Sequence, residues 1–335
     1  MSAAKRKVVV SGARPTGQLH LGNLHGAIKN WLKLQDEHEC LFFVADWHAL
    51  TTDWAESRDI GKNTIEMVLD WLAIGLDPKR CTIFQQSAVT AHAELYLLLG
   101  MLTPVPWLER NPTYKEQQQN IEGKDLSTYG FLGYPVLQTA DIIIYKADAV
   151  PVGEDQAPHI ELAREIVRRF NGLYGEVFPE PQTLLTEAKR IPGTDGRKMS
   201  KSYGNAIYLK DDPETVRQKL RPMLTDPARK RRTDPGNPDV CPVFDLHKAF
   251  SPPESQAWAA QGCRTAGIGC LDCKAKLAEH MLERLKEIHA RRPALAARPD
   301  TVWDVLMEGS KQARAVAEAT MDEVRSAMKI RYDRQ

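Results

Sequence analysis

The period of apolar and polar residues changes several times along the chain. Val8-Val9-Val10, Leu41-Phe42-Phe43-Val44-Ala45 and Thr82-Ile83-Phe84 are short, unbroken apolar runs rich in β-branched and aromatic residues. Such runs predict strands covered on both faces. Between them, residues 23–36 and 55–76 predict helices. The alternation of strand and helix predicts a parallel sheet wrapped by helices, an α/β fold of Rossmann-like type. Ligands of such sheets bind beyond the carboxyl ends of the strands, where loops lead into helices.

Two stretches interrupt this alternation. Pro104 to Thr113 contains three prolines, and Ile191-Pro-Gly-Thr-Asp-Gly-Arg197 is dense in turn formers and predicts an exposed loop. After about residue 210 the pattern changes again. Asp212-Pro213, Asp226-Pro227 and Asp234-Pro-Gly-Asn-Pro238 divide the chain into short units. From Asp272 onward Leu277, Met281, Leu285 and Ile288 recur every three or four residues, the stripe of an amphipathic helix. Asp300 predicts the N-cap of a second helix carrying Val302, Val305, Leu306, Val316, Met321 and Val324. No internal repeat or low-complexity segment is visible.

Composition narrows the class without naming a chemistry. The 335 residues suggest roughly two domains at ~150 residues each. Hydrophobic residues at 42% and charged residues at 27% fit a water-soluble globular protein. The formal net charge is +1, so contact with a polyanion would have to come from local basic patches. No apolar run approaches the ~20 residues of a membrane span. Lys5-Arg6-Lys7 is followed by a strand rather than by the apolar core of a signal peptide, and a cytoplasmic location is expected. In that reducing setting the six cysteines are better read as core thiols, for Cys40 and Cys81, or as metal ligands, for the four that cluster late, than as disulfides.

Two segments suit phosphates. Directly after the first strand, Ser11 to Gly26 places glycines at 12, 17, 22 and 26, where the backbone can turn tightly and approach a ligand, with His20 and Asn23 at the entry to a helix. Alone, this spacing says no more than an ordinary βα turn. Gly196-Arg197-Lys198-Met199-Ser200-Lys201-Ser202 puts two lysines three apart in the turn-rich loop, able to hold a triphosphate as charge builds on leaving pyrophosphate. Together the two resemble the paired HIGH and KMSKS signatures of class I aminoacyl-tRNA synthetases. The second is present letter for letter. The first reads His20-Leu21-Gly22-Asn23, with an amide that can donate a hydrogen bond but cannot act as an acid.

The resemblance extends over nearly the whole chain to bacterial tryptophanyl-tRNA synthetases. It is carried by Arg14-Pro15-Thr16-Gly17, Asp46 to Thr51, Leu108-Glu109-Arg110, Tyr134 to Asp141 and Pro151 to Gln156. It implies an ATP site formed by Arg14, Pro15, Thr16, Gly22, Asn23, Gly153, Glu154, Asp155, Ile191, Lys198, Met199, Ser200, Lys201 and Ser202. Lys198, Lys201, His20 and Asn23 would act in catalysis. Tryptophan would lie against Gly12, His48, Gln138, Gln156 and Asp141, with Asp141 accepting the indole N–H. Indole has one donor on a large apolar body, so a single acceptor within apolar walls suits it. Without the resemblance, Asp141 would read as a helix carboxylate paired with a lysine. Two positions depart from relatives: Gln138 stands near where others have Met, and Arg14 where several have Gln.

Cys241, Cys263, Cys270 and Cys273 form a Cys-x21-Cys-x6-Cys-x2-Cys pattern. Spacing alone favours structural Zn²⁺. The resemblance favours a [4Fe-4S] cluster, found in a subset of these synthetases. Arg217, Lys219, Arg221, Arg229, Lys230, Arg231 and Arg232 form a basic run that is either a solvated face or a tRNA contact. The resemblance thus implies a Rossmann-like catalytic domain over 1–210 and a helical anticodon-binding domain over 211–335. It also implies Mg²⁺ with the ATP, tRNA(Trp) and L-tryptophan as substrates, a homodimer, and no membrane association. A tyrosine-specific synthetase and a non-catalytic RNA-binding paralogue are the alternatives.

Overall fold

The structure is a computed structural model that describes residues 6–112, 114–115, 125–185 and 191–331. Its centre is a parallel sheet. Strands β1 (Val8–Ala13), β2 (Glu39–Val44), β3 (Cys81–Gln85), β4 (Ala149–Val152) and β5 (Gln182–Leu185) lie in the order β3-β2-β1-β4-β5. The order reverses between β1 and β4, where Val9 pairs with Ala149. That is the switch point at which sheets of this kind open a crevice.

The apolar run of β2 explains why the sheet is covered twice. Phe42 points into one hydrophobic cluster and Phe43 into the other, as the period of a strand requires. On the Phe42 face, Trp31 of α1 (Lys29–Glu37) stacks on Phe42 with ring centroids 4.5 Å apart. Trp71 of α3 (Ile60–Ile74) meets Trp31 edge-on at 5.2 Å. Gly75 ends α3 with φ +116, a conformation glycine adopts without a Cβ penalty. On the Phe43 face lie α4 (Ala91–Leu102), α6 (Tyr129–Ile143) and α7 (Ala157–Tyr174).

The expected C-terminal helices are present as α11 (Cys270–Ala296) and α12 (Pro299–Ala327), preceded by α8 (Pro213–Leu220), α9 (Pro242–Phe250) and α10 (Pro253–Arg264). Leu277, Met281, Leu285 and Ile288 are buried in the same cluster as Phe42 and Trp71, so α11 packs back onto the first half. Helix α12 runs over the exposed edge of β3. Its small residues Gly309, Ser310, Ala313 and Ala317 are buried there, and Ser310 Oγ accepts the Gln85 N–H at 3.3 Å. A free strand edge invites unwanted pairing, and a covering helix removes that risk.

Several expectations change in detail. Residues 23–36 form a π-helical turn (Leu24–Ile28) followed by α1. Residues 55–76 begin as a 3₁₀ turn (Trp54–Asp59) before α3. Arg298, not Asp300, is the N-cap of α12, because Pro299 takes the first helical position and leaves Asp300 within the first turn. The proline-rich stretch contains a short helix, α5 (Val105–Glu109), while Thr113 lies outside the described residues. Strands β4 and β5 went unpredicted: each has four residues, and Pro151 interrupts β4.

A Cβ at Gly309 would run into the carbonyl oxygen of Ile83. Gly309→Ala should therefore lower stability by about 1–3 kcal/mol through overpacking, although alanine in a free helix is favoured by about 1 kcal/mol. Urea unfolding measures this, and an unchanged or raised midpoint would mean that α12 does not sit this close to β3.

Candidate active site

At the switch point a cavity of about 440 Å³ opens beyond the carboxyl ends of β1 and β4. Its walls combine Gly12 and Arg14 from β1 and its loop, Asn23, His48 from α2 (Asp46–Asp53), Tyr134, Gln138 and Asp141 from α6, and Gly153 and Gln156 after β4. All five residues expected to contact tryptophan therefore face one cavity. Gly12 has a steric reason: a Cβ there would overlap the Phe43 ring.

The floor of the cavity is Asp141, 1% exposed. Burying a carboxylate costs free energy unless hydrogen bonds replace water. Here His48 Nε2 lies 2.8 Å from Oδ2, His92 Nδ1 lies 2.5 Å from Oδ1, and the Gln86 amide reaches both oxygens at 2.8 Å. Burial pushes the carboxyl pKa up, but the hydrogen bonds from His48 and His92 outweigh burial and hold it below its ordinary value. No lysine is among these partners, so the simple helix ion pair is excluded. Gln86 and His92 were missed in the sequence. Gln86 directly follows β3, at the ligand edge of a parallel sheet, and that position was the available signal.

The two phosphate-type signatures touch each other. His20 and Asn23 cap the first helical turn reciprocally: His20 Nδ1 accepts the Asn23 N–H at 3.3 Å, and Asn23 Oδ1 accepts the His20 N–H at 3.0 Å. The Asn23 side chain thus has a structural task in this turn. His20 is buried and held neutral, its pKa lowered to about 4 by burial and then by the charges of Lys201 and Lys198. The second loop is less exposed than its composition suggested. Ile191 and Met199 are buried, Pro192 bridges to Lys198, and Asn205 Oδ1 accepts the Ser200 N–H at 2.8 Å. Met199 packs beside Gly22, and the Lys201 ammonium lies beside Gly17. Lys198 is exposed, though its charge is felt at His20.

The rest of the expected phosphate set is only partly assembled. Arg14 lines the cavity and its guanidinium donates to Thr52 Oγ1 at 3.4 Å, whereas Pro15 is buried and Thr16 and Glu154 are exposed. Asp155 and Ser202 take part in 3₁₀ turns by their backbone, and their side chains lie outside those described.

The late cysteines occupy one neighbourhood. Burial, then the charges of Cys241, Cys263 and Cys270, push the Cys273 thiol up to about 12. His247 Nε2 lies 3.4 Å from Cys273 Sγ. Among the described residues, however, no group of three or more His, Cys, Asp or Glu side chains is arranged to hold a metal ion. The expected ligand set is thus gathered but not closed. The basic run is also reduced. Lys219 is paired with Asp211 at 2.6 Å, and the buried Arg229 donates to the carbonyls of Arg232 and Ile268. Arg217, Arg221, Lys230, Arg231 and Arg232 are exposed.

The site therefore combines a deep cavity, one fixed acceptor in partly aromatic walls, and a rim of glycines and lysine. Residues 2–286 match the family described as tRNA synthetases class I (W and Y). The chain belongs to that family. It is 54% identical over 326 residues to the tryptophan–tRNA ligase of Thermotoga maritima, covering 97% of this chain and 99% of that one. It is 45% identical over 392 residues to that of Aquifex aeolicus, with 96% and 99% covered. Among solved structures, tryptophanyl-tRNA synthetase from Campylobacter jejuni, complexed with ADP and tryptophan, superposes with a TM-score of 0.87 at 31% identity, covering 96% of this chain and 99% of that one. No helix among the described residues is long and apolar enough to cross a membrane.

Burial lowers the Lys201 pKa to about 8, against an opposing pull from Asp70. In this class I fold, acylation of Lys201 by a small amine-directed reagent should rise with pH around a midpoint near 8. Asp70→Asn should move that midpoint lower still, because it removes the anion that favours the charged amine. Peptide mapping across pH reads both, and a midpoint near 10.5 would refute the burial of this ammonium.

Proposed function

We propose that the chain joins L-tryptophan to tRNA(Trp) at the expense of ATP, which gives AMP and diphosphate. The observation that carries this reading is Asp141: one ionised, fully buried acceptor at the floor of a partly aromatic cavity next to a KMSKS loop. Whole-length likeness to tryptophan–tRNA ligases supports it. The indole N–H would meet Asp141, with Gly12, His48, Gln138 and Gln156 around the amino acid. The nucleotide, entering with Mg²⁺, would lie along the rim. Its expected contacts there are Arg14, Pro15, Thr16, Gly22, Asn23, Gly153, Glu154, Asp155 and Ile191, with the loop Lys198-Met199-Ser200-Lys201-Ser202 closing over it.

The tryptophan carboxylate attacks the α-phosphorus, the bond to pyrophosphate breaks, and tryptophanyl-AMP results. The tRNA terminal hydroxyl then takes the acyl group and releases AMP. No side chain need form a covalent intermediate, so rate comes from positioning and charge. His20, neutral and engaged in capping, orients the phosphate turn with Asn23. Lys201 supplies charge as pyrophosphate departs, joined by Lys198 when the loop closes.

In this reading residues 1–210 carry activation and residues 211–335 bind the anticodon, with the exposed Arg217, Arg221, Lys230, Arg231 and Arg232 on the RNA side. The exposed apolar side chains Leu97, Met101, Val105 and Tyr129, at neighbouring ends of α4, α5 and α6, suit the contact of a homodimer. The working compartment is the cytoplasm. Cys241, Cys263, Cys270 and Cys273 would hold a [4Fe-4S] cluster, or Zn²⁺ through the same thiolates, and would fix the fold around α10 and α11. Four thiols near the cations Arg229 and Lys274 are a suitable donor set.

Pyrophosphate exchange tests the activity. It should require tryptophan and be weak with tyrosine, and Asp141→Ala should raise the tryptophan KM steeply while ATP binding survives. Equal exchange with tyrosine would move the chain to the other specificity, and no exchange with either would make it a non-catalytic paralogue. For the cysteines, protein purified without air should be brown and contain iron and labile sulfide, both lost in Cys270→Ser. Stoichiometric zinc without iron would replace the cluster, and the absence of both would remove the site.

A further inference from the structure

Behind Asp141 lies a second layer that the reaction itself does not use. His92 is fully buried, with Nδ1 2.5 Å from Asp141 Oδ1 and Nε2 2.6 Å from the hydroxyl of Tyr145, itself 2% exposed. Phe84 closes this layer, with its ring 6.2 Å from His92 and 5.4 Å from Tyr145, and Phe43 lies 6.2 Å from His92. We infer that His92 and Tyr145 are positioning residues that fix Asp141 as an acceptor of set orientation for the donor of the substrate ring.

The assignment follows from proton accounting. A buried hydroxyl must spend its hydrogen on a partner. Tyr145 keeps its proton, because burial and then the Asp141 charge raise its pKa well above the ordinary value. Its O–H therefore donates to His92 Nε2. Nε2 can then carry no hydrogen, so the ring hydrogen sits on Nδ1 and points at Asp141 Oδ1. Gln86 is oriented in the same way. Its Oε1 accepts the backbone N–H groups of Trp47 at 3.1 Å and His48 at 3.4 Å, which leaves its NH₂ facing the carboxylate. The His92 N–H and the Gln86 NH₂ both point at Asp141, and neither can accept the ligand's hydrogen in its place. Only His48, on the cavity side, can yield its place to a substrate N–H. The relay would thus set both the charge and the direction of the one acceptor on which ring recognition rests.

This inference depends on the reading of Asp141 as the indole acceptor, and the experiment separates the two. Tyr145→Phe keeps the ring and removes the hydroxyl. It should raise the tryptophan KM in pyrophosphate exchange roughly ten-fold, the effect of one misdirected hydrogen bond. kcat and the ATP KM should stay near wild type. His92→Leu should do at least as much, and His92→Asn, whose amide can still donate toward Asp141, should recover most of the loss. In ¹⁵N-histidine spectra His92 should be protonated on Nδ1 in the wild type, with its Nε2 resonance shifted by the Tyr145 hydrogen bond, and that shift should be lost in Tyr145→Phe. A merely structural role would move the tryptophan KM, the ATP KM and kcat together; that outcome, a wild-type His92 protonated on Nε2 alone, or a wild-type tryptophan KM in Tyr145→Phe and His92→Leu, overturns the relay. Asp141→Asn is the control. If it too leaves the tryptophan KM unchanged, the indole reading fails and the relay with it; if it alone raises that KM, only the relay fails.

Discussion

A carboxylate deep inside a protein is tolerated only when donors replace the water it has lost, and that constraint organises this structure around Asp141. Its partners come from three directions: His48 from the helix after β2, Gln86 from the turn after β3, and His92 from α4. To bring them together, β2 and β3 must end at the same level beside α6. The parallel register of Val44 against Gln85 accomplishes this. Breaking one partner of such a group costs more than the bond itself, because the charge that remains is left buried and underpaired. The sheet's order and the chemistry of the cavity floor are therefore two views of one requirement.

The rim of the cavity follows a different logic. There the chain relies on backbone turns and on contact between two distant segments. Leu21 donates to the Ile207 carbonyl at 3.0 Å and Leu209 donates to the Leu19 carbonyl at 3.0 Å, so the strand-like stretch after the KMSKS loop is laced to the first signature. Asn205 donates to the Lys198 carbonyl at 3.1 Å and Pro192 bridges to it, so the backbone of Lys198 is held while its side chain stays exposed. Lys201, drawn toward Gly17 and the field of Asp70, is the more confined of the two lysines. The same four-letter spacing thus yields one anchored cation and one free to swing.

Much of this was legible in the sequence, and the gaps have physical causes. Strands β1, β2 and β3 were visible because strands buried on both faces need unbroken apolar runs. Strand β4 was hidden by Pro151 and by its length, and β5 is half exposed and has no such run. The cavity-lining residues Gly12, His48, Gln138, Asp141 and Gln156 were reached through motif likeness. Gln86, His92 and Tyr145 were not, because a histidine between two alanines in an apolar helix gives no local sign of a partner 49 residues away. The basic run was overestimated for a related reason: only tertiary structure shows that Lys219 and Arg229 are engaged within the chain.

Packing does not stop at the change of sequence pattern near residue 210. Arg292 of α11 reaches back to the buried Asp70 of α3 at 2.6 Å and to Glu66 at 2.7 Å. Asp70 in turn accepts the Leu19 N–H at 3.3 Å, one residue before His20. Hence a guanidinium from the C-terminal helices pairs with a carboxylate that holds the turn leading into His20. The apolar stripe of α11 lies in the same cluster as Trp31, Phe42 and Trp71. Removing the helical half would bare that stripe's partners and leave Asp70 buried without its counter-charge. The first half is thus held in place partly by residues beyond 210, at Asp70 and along the face of Trp31, Phe42 and Trp71.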